Sequence, residues 1–309
     1  MKLSRFRRCR LVFRYFNRET GGSKTKRCRC PITQVATILP AHSAVPPRAA
    51  GTVSLSTKQL GNRTVLNKFR QSGSFKCLFP RTTTPELDAV LLNSAGGVTG
   101  GDSFRFSCKA AKGTALTLTT QACERAYKAP PKEWGQVTNH LTVEAGARLN
   151  WLPQETILYN GSALDRRLRI DLSPDADMLM VEPLVFGRVA MGETLTEIRL
   201  RDQIEIWREG TPVFLDAIRF AGDWHTHLAK RHIANGAGAM ALIVLMSSSA
   251  EGHLEPVREL LPDAAGATLT RNDLLVIRIL AGDSFALRRK LMPVLRRLNN
   301  DTLPRCWML

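Results

Sequence analysis

Gly113-Thr-Ala-Leu-Thr-Leu-Thr-Thr-Gln121 is answered 33 residues later by Gly146-Ala-Arg-Leu-Asn-Trp-Leu-Pro-Gln154. A weaker copy, Asp175-Ala-Asp-Met-Leu-Met-Val-Glu-Pro183, follows 29 residues after that. Each copy comes after a stretch with the two-residue alternation of a half-buried strand, at residues 104–108, 141–143 and 168–172. The unit is therefore strand, short polar turn, strand, longer excursion. Self-similarity at this period marks stacked units that share one core. Side chains alternating toward that core are Leu116 and Leu118, Leu149 and Trp151, Met178 and Met180. Stacking in register would bring Gln121, Gln154 and the surroundings of Glu182 together as a polar cluster at one end. An antiparallel meander produces a similar repeat, so both architectures fit this pattern.

Outward from the repeat, the pattern stays β on both sides. Residues 89–93 read as a buried strand, followed by Ser94-Ala-Gly-Gly-Val-Thr-Gly-Gly-Asp102. Downstream, residues 196–200 and 203–207 read as two strands with a turn at Arg201-Asp202. A second turn at Glu209-Gly210 leads into a strand over 211–218. The last third changes character. Residues 239–246 and 274–279 read as strands and 251–261 as a short helix. Asp283 or Ser284 caps a second helix with Leu287, Leu291, Val294, Leu295 and Leu298 on one face. The expected fold is mainly β, a stacked solenoid-like or sandwich-like body with a small C-terminal α/β portion containing two helices. In domain terms, residues 1–50 form an extension and 51–309 one domain, with a β body at 51–220 and an α/β cap at 221–309 packed on it.

The 309 residues carry 44 Lys and Arg against 27 Asp and Glu, a net +17. Residues 1–50 hold twelve basic residues and one acid, so +11 lies there and +6 in all that follows. Such a basic, Gly- and Pro-containing extension buries little apolar surface. It suits a nucleic-acid or membrane arm, an organelle transit peptide, or a dispensable tail. The mildly basic remainder argues against nucleic acid as the main partner. No run approaches the roughly 18 apolar residues of a transmembrane helix, and no secretory h-region follows the charges. The seven cysteines show neither a disulfide framework nor paired zinc-ligand spacing, which points to a reduced, cytoplasmic protein.

Candidate chemistry is sparse. The glycine-rich segment 96–102 lacks the Lys-Ser/Thr of a P-loop and precedes a strand, so it reads as tight turns ending at Asp102. There is no Gly-x-Ser-x-Gly elbow. His225, His227 and His232 could gather around a transition metal, or lie on a surface loop running into a helix. Glu182 and Asp216 are more informative, being acids within apolar strands. A buried carboxylate costs several kcal/mol, roughly, unless it is paired or solvated. Arg188, Arg199 and Arg219 are the candidate partners for an ion pair. The alternative is a water-filled interior path with weak, exchangeable ligands for a passing cation.

Four segments then carry a resemblance: Ser94-Ala-Gly-Gly-Val-Thr-Gly-Gly-Asp102, Leu118-Thr-Thr-Gln-Ala-Cys-Glu-Arg-Ala-Tyr127, Leu149-Asn-Trp-Leu-Pro-Gln-Glu155 and Val181-Glu-Pro-Leu-Val-Phe-Gly-Arg-Val-Ala-Met-Gly-Glu193, with Leu303-Pro-Arg-Cys-Trp307 at the end. In their order they resemble the urease accessory protein family UreD, also called UreH, from about Val53 onward. The resemblance implies a largely β fold and a non-enzymatic role in nickel delivery, with nickel in transit and no tightly bound cofactor. It implies UreF as direct partner, UreG through UreF, apo-urease as the receiver, and neither nucleic acid nor membrane. Under it, Asp102, Glu182 and Asp216 line an ion passage, with Glu124 and Gln154 as weaker contacts from neighbouring strand ends. The three histidines are outside the family pattern. A nucleic-acid-binding protein acting through the basic tail and an unrecognised β-solenoid hydrolase are the other classes open to this sequence.

Overall fold

The computed structural model describes residues 47–308. The readings placed on residues 1–46, the greater part of the basic extension with Cys9, Cys28 and Cys30, lie outside the described residues. From the N-terminal side the strands are β1 (Ala50–Leu60), β2 (Arg63–Gly73), β3 (Phe75–Leu78), β4 (Leu87–Asn93), β5 (Ser103–Ala110) and β6 (Ala115–Thr120). Next come β7 (Glu124–Ala126), β8 (Gly135–Val143), β9 (Arg148–Leu152), β10 (Thr156–Leu158), β11 (Ala163–Leu172) and β12 (Asp177–Phe186). The remainder is β13 (Ile198–Arg208), β14 (Thr211–Gly222), α1 (Trp224–Leu228), β15 (Ala239–Met246), α2 (Ala250–Leu260), β16 (Ala265–Arg271), β17 (Leu274–Ala281) and α3 (Ser284–Leu298).

The repeat is a stack of coils. β6, β9 and β12 pair in parallel, with Leu116 opposite Leu149 and Leu149 opposite Met178, then Leu118 opposite Trp151 and Trp151 opposite Met180. These are the 33- and 29-residue offsets of the sequence. The preceding strands β5, β8, β11 and β13 form a second parallel ladder. Edge strands complete two sheets. The first runs β14-β13-β11-β8-β5-β1-β2, and the second runs β16-β17-β15-β12-β9-β6-β4-β3 with β7 and β10 alongside.

Burial explains why the two ladders read differently. In β5 alternate residues Phe104, Phe106, Cys108 and Ala110 are buried and those between are mostly exposed, because the first sheet has one solvent face. β9 and β12 are buried on both faces. Their inner side chains, Leu149, Trp151, Met178 and Met180, join the core between the sheets. Their outer ones, Leu152, Leu179 and Val181, pack beneath α2 and α3 with Leu287, Leu291, Val294 and Leu295. The described residues thus form three layers: sheet, sheet, helices. Residues 221–309 join the body through strand pairing as well as packing, since β15 lies antiparallel on β12 and β17 on β15. The two longer helices fall where the sequence places them, and Asp283 caps α3 by accepting the Ala286 N–H. The five-residue α1 falls in the loop-and-helix segment read around His225 and His227, but the continuity of β13 was not foreseen. No turn interrupts it at Arg201-Asp202, whereas the turn at Glu209-Gly210 is present, both residues at positive φ.

Candidate functional site

The inward parity of β11 is Leu164, Arg166, Leu168, Ile170 and Leu172, and that of β13 is Ile198, Leu200, Asp202, Ile204 and Ile206. One cation and one anion interrupt two otherwise apolar series. Register makes them direct neighbours, Arg166 opposite Asp202. The guanidinium grips the carboxylate with both arms, Nε to Oδ1 at 2.9 Å and Nη2 to Oδ2 at 2.6 Å. Its remaining nitrogen crosses to the other sheet. Nη1 donates to Glu182 Oε2 at 2.7 Å and to Thr156 Oγ1 at 3.1 Å. Trp151 Nε1 donates to the other Glu182 oxygen at 2.7 Å, and the Trp151 ring stacks on Phe106.

The side chains of Arg166, Glu182 and Asp202 are 8%, 4% and 6% exposed. Burial opposes the charge of Arg166, yet the two carboxylates together hold its pKa above the usual arginine value. Glu182 moves the other way from a satisfied ion pair. Desolvation raises its pKa, the guanidinium lowers it, Asp202 raises it again, and the balance is upward. The reason is stoichiometric. Two buried carboxylates share one guanidinium, so with both ionised one negative charge is left unbalanced.

This cluster forms one wall of a cavity of about 250 Å³ between the sheets. The wall carries Asn93, Thr120, Gln121, Cys123, Glu124, Asn139, Gln154 and Thr156 beside Arg166 and Glu182, with room for several waters. Glu124 accepts from Asn93 Nδ2 at 3.3 and 3.2 Å and from the Arg125 N–H at 3.1 Å. Desolvation, only partly offset by the Asn93 bonds, raises its pKa. Gln154 donates its backbone N–H to Thr120, and its side-chain oxygen accepts from Arg288 Nη1 at 2.9 Å.

The sequence candidates therefore separate. Gln121, Glu124, Gln154 and Glu182 come together on the cavity. Asp102 and Asp216 do not line it. Asp102 accepts the Ala49 N–H at 2.7 Å and the Thr99 N–H at 2.8 Å, closing the glycine-rich loop onto the entry to β1. Asp216 lies on the edge strand β14 and pairs with Arg278 of β17 at 2.6 Å. The expected partners Arg188, Arg199 and Arg219 pair with neither Glu182 nor Asp216. Arg188 holds Glu193, and Arg199 donates to the carbonyls of Pro130 and Glu133. His225 and His227 sit on α1, with His227 against the Phe220 ring. No group of three or more His, Cys, Asp or Glu suited to a metal ion is present among the described residues. Burial keeps Cys77 protonated, pushed up to about 12, as befits a packing group rather than a nucleophile. Arg166 and Asp202 were missed. Their signal was the break in inward parity, hidden at Asp202 by the assumed turn.

A family model described as UreD urease accessory protein matches residues 49–308. The urease accessory protein UreD of Ruegeria pomeroyi is 59% identical over 255 residues, covering 82% of this chain and 99% of that protein. The protein of the same name from Roseobacter denitrificans is 48% identical over 263 residues, 85% of this chain and 96% of its own length. That of Rhizobium etli is 40% identical over 265 residues, 85% of this chain and 97% of its own. Among the described residues no helix is long and apolar enough to cross a membrane.

Proposed function

The chain belongs to the UreD urease accessory protein family, whose role is in urease maturation, and from that premise we propose that it acts without catalysis as a scaffold and nickel conduit. In this reading it binds UreF, which brings UreG, and the assembly passes nickel to apo-urease. The observation that carries the reading is the charge excess of the buried Glu182, Arg166 and Asp202 cluster beside a largely apolar cavity that also holds Glu124. An unbalanced buried carboxylate is costly, and a proton or a passing cation removes the cost. The donors around the cavity are carboxylate, amide and hydroxyl oxygens together with the Cys123 thiol, a single sulfur rather than a set. Such ligands hold a nickel-class ion loosely, as a conduit requires, whereas imidazole or thiolate sets would retain it. Glu182 and Glu124 are the ion contacts in this proposal. Gln154 shapes the wall, and Asp102 and Asp216 hold the scaffold.

Co-expression with urease and the remaining accessory proteins tests it. Glu182→Gln keeps the shape and one of the two acceptor oxygens that Trp151 and Arg166 use, while removing the charge. The expected result is urease recovered with several-fold less nickel and activity, from an assembly that purifies at wild-type yield. Full activity in Glu182→Gln and in the Glu124→Gln, Glu182→Gln double variant would end the conduit reading. Loss of assembly in step with activity would make these acids structural.

A further inference from the structure

Helix α3 has two stripes at helical spacing. Leu287, Leu291, Val294, Leu295 and Leu298 are buried. The opposite face presents Phe285, Arg288, Arg289, Met292 and Arg296. With Trp307 and Met308 from the C-terminal turn, these residues line a groove of about 310 Å³. Phe285 is 70% exposed and Met308 52%. Among the described residues three arginines and no acid line the groove. Arg288 is committed. It donates to Gln154, Glu155 and the carbonyls of Cys306 and Trp307, locking the turn against the helix. Arg289 and Arg296 have no carboxylate partner among the described residues. Arg289 lies 5.9 Å from the Phe285 ring centre, and Arg296 Nη2 reaches Met308 Sδ at 3.8 Å.

This is an unusual face for solvent. An exposed Phe and an exposed Met each forgo roughly 1.5–3 kcal/mol of burial. Aromatic residues, Met and Arg are the types enriched in protein–protein interfaces. A guanidinium fork matches a carboxylate with two parallel hydrogen bonds. Base stacking would need a run of open aromatic faces, and the groove offers Phe285 alone, Trp307 being 1% exposed. A membrane surface would need a broad apolar face, whereas the apolar part here is a narrow cleft between arginines.

We propose that this groove docks an acidic segment of a partner protein, with its carboxylates on Arg289 and Arg296 and one apolar side chain seated among Phe285, Met292 and Met308. The proposal is independent of ion passage, because none of these residues lines the cavity between the sheets.

Fluorescence anisotropy on the purified full chain tests it. The probes are a labelled peptide of glutamates flanking a central Leu and Phe, its glutamine twin, its lysine twin, a single-stranded oligonucleotide and phosphatidylserine vesicles. The expected result is binding of the glutamate peptide at least about tenfold tighter than its glutamine twin. Arg289→Glu with Arg296→Glu abolishes that preference and transfers it to the lysine twin, and Phe285→Ala weakens binding several-fold. Circular dichroism and the thermal midpoint confirm that these variants stay folded, and the Arg→Gln pair replaces the Arg→Glu pair if it does not. Equal binding of the glutamate and glutamine peptides overturns the proposal. So does indifference to the arginine variants, or tighter binding of oligonucleotide or vesicles through the same arginines.

Discussion

At Arg166 the roles of stability and transport can be separated. Removing it alone, as Arg166→Ala, strands two carboxylates in the core, and the expected loss is about 3–5 kcal/mol in denaturant unfolding. Replacing Arg166, Glu182 and Asp202 together by apolar residues of similar volume is expected to be nearly neutral for the fold. On the conduit reading, that triple variant assembles but loads little nickel. The proton balance gives a second handle. Because the folded pKa of Glu182 is raised, the folded state holds a proton where the unfolded chain has released it. Its contribution is therefore fully favourable below the ordinary glutamate value, about 4.3, and is lost as pH rises through the folded value. Glu144, Asp171 and Glu193 are lowered and slope the opposite way, so the raw stability curve mixes signs. The difference between wild type and Glu182→Gln isolates the component. Unfolding midpoints should fall with pH for the wild type relative to the variant, and parallel curves would show that Glu182 is already ionised across the range.

Among the elements, the glycine-rich loop before β5 was legible in type and its packing was not. Gly96 and Gly101 have the positive φ that the turns require. Gly97 serves another purpose. A Cβ there would sit 2.2 Å from the Tyr127 ring and 2.7 Å from the Arg125 carbonyl oxygen, so the loop lies directly on β7 beside the cavity. Gly97→Ala should cost roughly 1–3 kcal/mol through overpacking, read as a lower unfolding midpoint, and an unchanged midpoint would mean the loop lifts freely. The repeat in β6, β9 and β12 was legible down to its register because alternation and offset are local features of sequence. The polar cluster was half legible for the opposite reason. Glu182 announced itself as an acid in an apolar strand, but its partner is 16 residues earlier in sequence and on the other sheet. Arg201-Asp202 looked like a turn because two charged residues in a row suggest solvent. In β13 they fall on opposite faces, Arg201 exposed and Asp202 buried. The Asp216–Arg278 pair joins strands 62 residues apart, a contact that no local pattern could announce.

For the whole molecule, the charge is carried in two parts with different implications. The family match begins at residue 49, while +11 of the net +17 lies in residues 1–50. The three layers, both cores, the cavity and the arginine groove are all built from residues beyond that point. A chain starting at Pro47 keeps Arg48, whose guanidinium pairs with Glu133 at 2.7 Å, and Ala49, whose N–H Asp102 accepts. It should therefore unfold at the same midpoint as the full chain and restore urease activation to the same level. The nucleic-acid reading predicts a different division. Binding carried by the ten excess positive charges of residues 1–46 would fall steeply with salt and vanish in the shortened chain. Measuring both properties on both chains decides between them. Urease activation retained without residues 1–46 assigns the maturation role to the layered domain alone, whatever the extension binds. Activation lost, with the unfolding midpoint unchanged, would place an essential contact within the extension and break the assignment of function to the cavity and its acids.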